Sequence, residues 1–272
     1  NNLVGLKPSR GLLSARGVVP ACRSLDCMTI LALNTDDANQ VLSVSEGFDS
    51  GDAYSRANPF QNQQRFYGER KGPLRVGIIP ETQLRFFGDS AYESAYKHTL
   101  ETLVEKGFEL IDIDYTPFDE VAKLLYEGPW VSERYIATQP LIDENPDAVF
   151  PVVRDIIAPG GGPRATALFK AQYRLNTLKQ ICDKQIAKFD CLLTPTAGKC
   201  FTIEEMLEQP ILRNSQLGYY TNFMNLLDLA SVAVPTQIAD NGLPFGITLV
   251  GSTFSDRALL SMANHLQQIF NL

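Results

Sequence analysis

Three features of this 272-residue sequence predict an α/β fold with a mixed central β-sheet covered by helices on both faces. Residues 74–115 read as strand, helix, strand, with a crossover long enough to make the two strands parallel. Residues 231–236 and 245–252 are apolar runs of strand length that read as neighbours in one sheet. Helical stretches interleave with these strands, the last of them amphipathic and running to Phe270.

Residues 1–35 are glycine-punctuated and read as loops and short strands, ending in an apolar patch at 28–33. Thr35, Asp36 and Asp37 are expected to cap a helix running to Val44. Residues 47–73, rich in Gly, Asn, Asp, Gln and Pro, predict a surface excursion. The run 74–80 is a buried strand closed by Pro80. Asp89 and Ser90 start a helix with Tyr92, Ala95, Leu100 and Leu103 on one face, stopped at Lys106-Gly107. Residues 108–115 alternate apolar and acidic side chains, as a strand does. A helix over 117–138 should be interrupted at Gly128-Pro129, because proline lacks a donor and restricts its predecessor.

Residues 143–158 and 164–189 predict two more helices, separated by a flexible hinge, Pro159-Gly160-Gly161-Gly162-Pro163. Residues 191–196 read as a short buried strand ending in a turn, and 217–229 as a helix. Ser255-Asp256 is expected to cap the final helix, with Leu259, Met262, Ala263, Leu266 and Phe270 on one face. No composition shift marks a boundary, so a single domain over 1–272 is expected.

The net charge of −7 and the absence of a dense Lys/Arg cluster argue against nucleic acid as partner. The densest cluster, with Arg65, Arg70, Lys71 and Arg75, is interrupted by Glu69 and glycines. No apolar run reaches membrane-spanning length. Five scattered cysteines (Cys22, Cys27, Cys182, Cys191, Cys200) read as buried thiols in the reducing cytoplasm. Neither their spacing nor the two histidines predicts a metal site, and no cofactor is expected.

His98 and His265 sit in helical segments away from any motif and read as helix-surface residues. No G-x-S-x-G, phosphate loop or dinucleotide fingerprint is present. Hydrolytic chemistry on this chain would have to proceed without imidazole.

The opening run Gly5-Leu6-Lys7-Pro8-Ser9-Arg10-Gly11 resembles the amidase-signature hydrolases. Its continuation, Arg16-Gly17-Val18-Val19-Pro20-Ala21-Cys22-Arg23-Ser24-Leu25-Asp26-Cys27, resembles the allophanate hydrolase branch of that family. Tyr220-Thr221-Asn222-Phe223 through Val234-Pro235, then Gly242-Leu243-Pro244-Phe245-Gly246-Ile247, is similar to the family's C-terminal strand pair. The resemblance implies an amidase-signature fold without its N-terminal part, the chain starting just after the catalytic serine motif. In that family a Lys and a middle Ser serve a second, nucleophilic Ser, and backbone amides hold the oxyanion. Ser9, Ser14 and Ser24 do not match those serines and receive no catalytic role. Lys7 and Arg10 are read either as supports of the serine loop or as surface residues. Asn222 and Asp228 receive no role.

The resemblance places substrate-binding residues at Tyr126 and Arg134, on either side of the Gly128-Pro129 break. Allophanate carries a terminal carboxylate, which a guanidinium can grip through two parallel hydrogen bonds. In the competing structural reading, Arg134 pairs with Glu133 or Glu127 on a solvated helix face and Tyr126 is a core aromatic. The resemblance implies hydrolysis of the allophanate C–N bond to ammonia and carbon dioxide by a Ser-Ser-Lys acyl-enzyme. It also implies a homodimer. The alternatives are an amidase acting on another amide and a non-catalytic, truncated carboxylate-binding paralogue.

Overall fold

The computed structural model describes residues 1–60 and 74–270. The basic residues Arg65, Arg70 and Lys71, and the part of the predicted excursion over 61–73, lie outside the described residues. Among the described residues seven strands form one mixed sheet, in the order β2-β1-β6-β7-β5-β3-β4. The strands are β1 (Val4–Lys7), β2 (Ile30–Ala32), β3 (Arg75–Ile78), β4 (Glu109–Asp112), β5 (Cys191–Pro195), β6 (Ala230–Ile238) and β7 (Pro244–Gly251). β3 pairs parallel with β4 and β5, and the remaining pairs are antiparallel. The parallel β3–β4 pair, joined by α2 (Ser90–Glu105), is the βαβ unit predicted from sequence.

Side chains alternate across the strands, so the sheet has a core on each face. Leu6, Val232, Ile247, Leu249 and Leu193 pack under α2, α1 (Thr35–Ser45) and α9 (Asp256–Ile269). Leu192 and Val250 face the other way, against α3 (Thr116–Glu127), α6 (Ala165–Ile186) and the buried aromatics Tyr115, Phe118, Tyr220 and Phe223. Helices therefore cover both faces, as expected.

Six local expectations change. The helix expected over 143–158 is the end of α4 (Val131–Glu144), a 3-10 turn at Pro146–Ala148 and the short α5 (Pro151–Ile157). The N-cap of α1 is Asn34, whose side chain accepts from Asp37 N at 2.8 Å, whereas the Thr35 amide donates to Gln267 of α9. Asp256 starts α9, but Ser255 makes no side-chain cap; the Asp256 carboxylate holds Ser9 N and Oγ instead. The helix expected over 217–229 is a chain of turns, following two short helices, α7 (Ile203–Glu208) and α8 (Pro210–Leu217). Tyr220, Phe223, Met224, Leu226, Leu227 and Leu229 of this segment are all buried. Tyr220 Oη also accepts from Arg85 N at 2.7 Å and donates to Arg85 O, fastening the turn from outside.

The glycine run at 159–163 is not a hinge. Ala158–Gly161 forms a 3-10 turn beneath α4 (Val131–Glu144), and Gly160 is buried. A Cβ on Gly160 would lie 2.5 Å from Val131 O and 2.9 Å from Tyr135 Cβ, so glycine is what allows this approach. The cysteines, lastly, are all free but not all buried: Cys27 is half-buried and Cys200 exposed. Burial pushes the Cys22 and Cys182 thiols up to about 12, aided at Cys22 by the Glu133 carboxylate. Both thiols are therefore held in the protonated form, and the thiolate is the reactive one. Thiol labelling of the native protein, read by peptide mass, is expected to modify Cys200 first; early labelling of Cys22 or Cys182 would contradict this burial. His98 and His265 are both exposed on their helices, His265 stacked on Phe108.

Candidate functional site

The alternation that builds the two cores also opens a cavity. Gly5 and Lys7 of β1, Ser231 and Ala233 of β6 and Thr248 of β7 point to the same face of the sheet. They are cross-strand neighbours, Gly5 opposite Ala233, Lys7 opposite Ser231, and Ala233 opposite Thr248. Small and polar residues here leave a space of about 410 Å³ where larger apolar ones would have closed the core. Its other walls are the loop residues Ala21, Cys22, Leu25 and Asp26, the turn residues Asn222 and Asn225, and Arg134 of α4. A neighbouring space of about 270 Å³ shares Gly5, Leu31, Thr196 and Ala233 with it and extends toward Tyr92 and Cys200.

The predicted break at Gly128-Pro129 is present and positions Arg134. α3 ends with Gly128 N donating to Leu124 O at 3.0 Å, and a Cβ at Gly128 would run into that carbonyl. The chain then turns through Trp130, which is buried, into α4. Across the break the Arg134 guanidinium carbon lies 4.5 Å from the centroid of the Tyr126 ring. Tyr126 is exposed rather than a core aromatic, and its face supports the cation.

Arg134 does not pair with Glu133 or Glu127. Among the described residues it has no carboxylate within salt-bridge distance, and its Nε is buried without a hydrogen-bond partner. Glu133 is turned away: its carboxylate accepts Ser24 N at 2.7 Å and the Ser24 hydroxyl. A cation with an unsatisfied donor in a cavity wall is an unfavourable arrangement unless something anionic occupies the space.

Other residues complete the wall. Asn225 keeps its Oδ1 buried without a partner, leaving an acceptor in the same lining as Arg134. Thr196 and Thr248 share a hydrogen bond of 2.9 Å between their hydroxyls. Lys7 donates to Pro8 O at 2.8 Å, and burial pulls its pKa below the ordinary value. Asp228 and Arg10 lie behind this wall. Asp228 accepts from Arg10 Nε at 3.1 Å and from both terminal nitrogens of Arg56 at 2.8 Å. Burial pushes the Asp228 carboxyl up, but the two arginines outweigh it and hold the group below the usual carboxylate range. Ser9 is a buried anchor on Asp256.

Of the residues singled out by sequence, Tyr126 and Arg134 come together, and Lys7 and Asn222 join Arg134 in the cavity lining. Asn225, Ser231 and Thr248 went unnoticed, whereas Thr196, at a strand end where α/β ligand sites form, reads from sequence as a plain turn but lines the cavity. The signal was there for the strand residues: Ser231 and Ala233 alternate with Val232 and Val234, placing small groups on one face. Nothing local marks Asn225. Among the described residues no group of histidine, cysteine or acidic side chains is arranged to hold a metal ion.

Comparison with known proteins agrees with this fold. The urea amidolyase of Saccharomyces cerevisiae is 38% identical over 277 residues, covering 99% of this chain and 15% of that protein. The Lachancea kluyveri urea amidolyase is 38% identical over 267 residues, covering 97% of this chain and 14% of the relative. The structure of Kluyveromyces lactis allophanate hydrolase superimposes with a TM-score of 0.92 at 37% identity, over 99% of this chain and 44% of that one. The chain thus spans less than half the length of each of these relatives. The family model described as Amidase matches residues 1–260, and the chain belongs to the amidase family.

Proposed function

We propose that this chain forms the carboxylate-recognising part of a single amidase domain that hydrolyses allophanate, releasing ammonia and ultimately carbon dioxide. One observation carries the reading: Arg134, supported on the Tyr126 ring, lines a cavity without an anionic partner of its own. A planar guanidinium matches a carboxylate by two parallel hydrogen bonds, which selects an anionic amide over a neutral one. The Asn225 acceptor suits the N–H groups of a urea. The amidase chemistry proposed for the reaction is an acyl-serine formed with a second serine and a lysine, all supplied by polypeptide other than the residues described here. The likeness to urea amidolyases and to allophanate hydrolase supports the same substrate.

A cytoplasmic homodimer belongs to the same proposal. Five free thiols suit a reducing compartment, and Phe150, Phe169 and Tyr173 expose apolar surface near α4 and α6. Among the described residues no helix is long and apolar enough to cross a membrane.

Biuret tests the reading, because it replaces the allophanate carboxylate by a neutral amide of similar size. Ammonia release by the complete enzyme is expected from allophanate, with kcat/KM for biuret lower by about 10²-fold, the worth of losing one charge-assisted pair. Equal rates on both would favour an amidase for another amide. Binding of allophanate without turnover in the complete polypeptide would favour the non-catalytic carboxylate binder.

A further inference from the structure

The loop over 21–27 is the part of the sequence whose purpose the site has not yet explained. It forms one wall of the cavity through Ala21, Cys22, Leu25 and Asp26, while Arg134 stands in another. The loop is closed on itself by Asp26, which accepts Ala21 N at 3.0 Å and Cys22 N at 2.9 Å. It is then joined to the start of α4 through the two bonds from Ser24 to the Glu133 carboxylate. Cys22 Sγ approaches Trp130 O at 3.8 Å, and Ser24 O accepts from Arg10 at 2.9 Å.

We propose that Ser24 and Glu133 are a positioning pair that sets how far the Arg134 guanidinium reaches into the cavity. This rests on Arg134 being the carboxylate-binding residue. The reason lies in what does not hold Arg134. Among the described residues no carboxylate pairs with it, its Nε has no partner, and the N-cap residue of α4, Trp130, makes no side-chain cap. Apart from the Tyr126 ring against its guanidinium, its placement is inherited from the first turn of α4. That turn is fixed by Gly160 beneath it and by Glu133, the residue next to Arg134 in the chain, bonded to Ser24 of the 21–27 loop. Holding both Glu133 oxygens on Ser24 also keeps that carboxylate from competing with substrate for the guanidinium.

The test uses Ser24→Ala, which removes the hydroxyl but keeps the amide donor, and Ser24→Thr, which restores a hydroxyl, in the complete enzyme. Ser24→Ala is expected to raise KM for allophanate about tenfold with kcat within about twofold, as loss of uniform binding does. Ser24→Thr should restore most of the KM. In an Arg134→Met background Ser24→Ala should change KM by less than about twofold, since no guanidinium remains to misplace. If Ser24→Ala fails to fold, Glu133→Gln, which keeps size and one acceptor, is read by the same split. A fall in kcat alone, an undiminished effect in the Arg134→Met background, or a silent Ser24→Ala beside an effective Arg134→Met overturns the pair. An Arg134→Met variant with unchanged KM overturns the carboxylate reading itself and the pair with it.

Discussion

Replacing Arg134 with methionine is expected to lower kcat/KM for allophanate by about 10²- to 10³-fold in the complete enzyme, almost all of it through KM. Each hydrogen bond to a charged group contributes about 1.5–3 kcal/mol, and the guanidinium can make two to one carboxylate. A loss of about 3–4 kcal/mol corresponds to that range, at about 1.4 kcal/mol per factor of ten. Methionine preserves much of the apolar stem, so the cavity wall should not collapse. The carboxylate lies at the far end of the substrate from the bond that breaks, so its contact acts in ground and transition states alike. Lysine in place of Arg134 keeps the charge without the planar fork, and should recover only part of the loss. Removing the ring with Tyr126→Ala should cost less, about 1 kcal/mol or a few-fold in KM, the worth of a cation–π contact. Steady-state kinetics on allophanate decide the matter. A wild-type KM in Arg134→Met would rule out this residue as the carboxylate reader.

Arg257→Met is expected to give the largest loss of stability, about 3–5 kcal/mol in urea unfolding. Arg257 opens α9 and Glu46 closes α1, and their side chains are only 7% and 2% exposed. Arg257 bonds Glu46 with one terminal nitrogen and Asn39 O, Asn39 Oδ1 and Ser43 Oγ with the other. The last turn of α1 has no basic residue of its own, so Arg257 supplies the cation that complements the helix C-terminus. Removing it leaves the Glu46 carboxylate buried without a counter-charge. Pairing Arg257→Met with Glu46→Leu should regain most of the loss, because an apolar pair of similar volume replaces a buried ion pair at little cost. A single variant that unfolds within 1 kcal/mol of wild type, the range of exposed pairs, would mean that water reaches Glu46.

The elements that could be read in advance share a property: their signals are local. The βαβ unit follows from the compact apolar run at β3, the apolar-acidic alternation at β4 and Asp89, which caps α2 by accepting Tyr92 N at 3.0 Å. The α3–α4 break follows from two residues, Gly128 and Pro129, whose backbone limits hold in any context. Where the expectation failed, a distant partner had intervened. Asn34 rather than Thr35 caps α1, and the Thr35 hydroxyl bonds Asn264, 229 residues away, instead. The turns at 218–228 replaced a helix because aromatics from the β4–α3 connection and the Arg85 backbone surround that segment. The glycine run at 159–163 became a packing seam because α4 lies on it.

The sequence by itself determined the strands, the principal helices and the membership of the amidase family, since periodicity, caps and motif residues act within a few positions. It also singled out Tyr126 and Arg134, through the family resemblance together with the break between them. Only the tertiary structure decided which partner each charge would have. Glu133 is adjacent to Arg134 in the chain, yet successive helix residues point about 100° apart. Glu133 found Ser24, 109 residues away, and Arg134 was left to face the cavity. Burial and charge pairing are settled by what the fold brings near, and no local pattern carries that information.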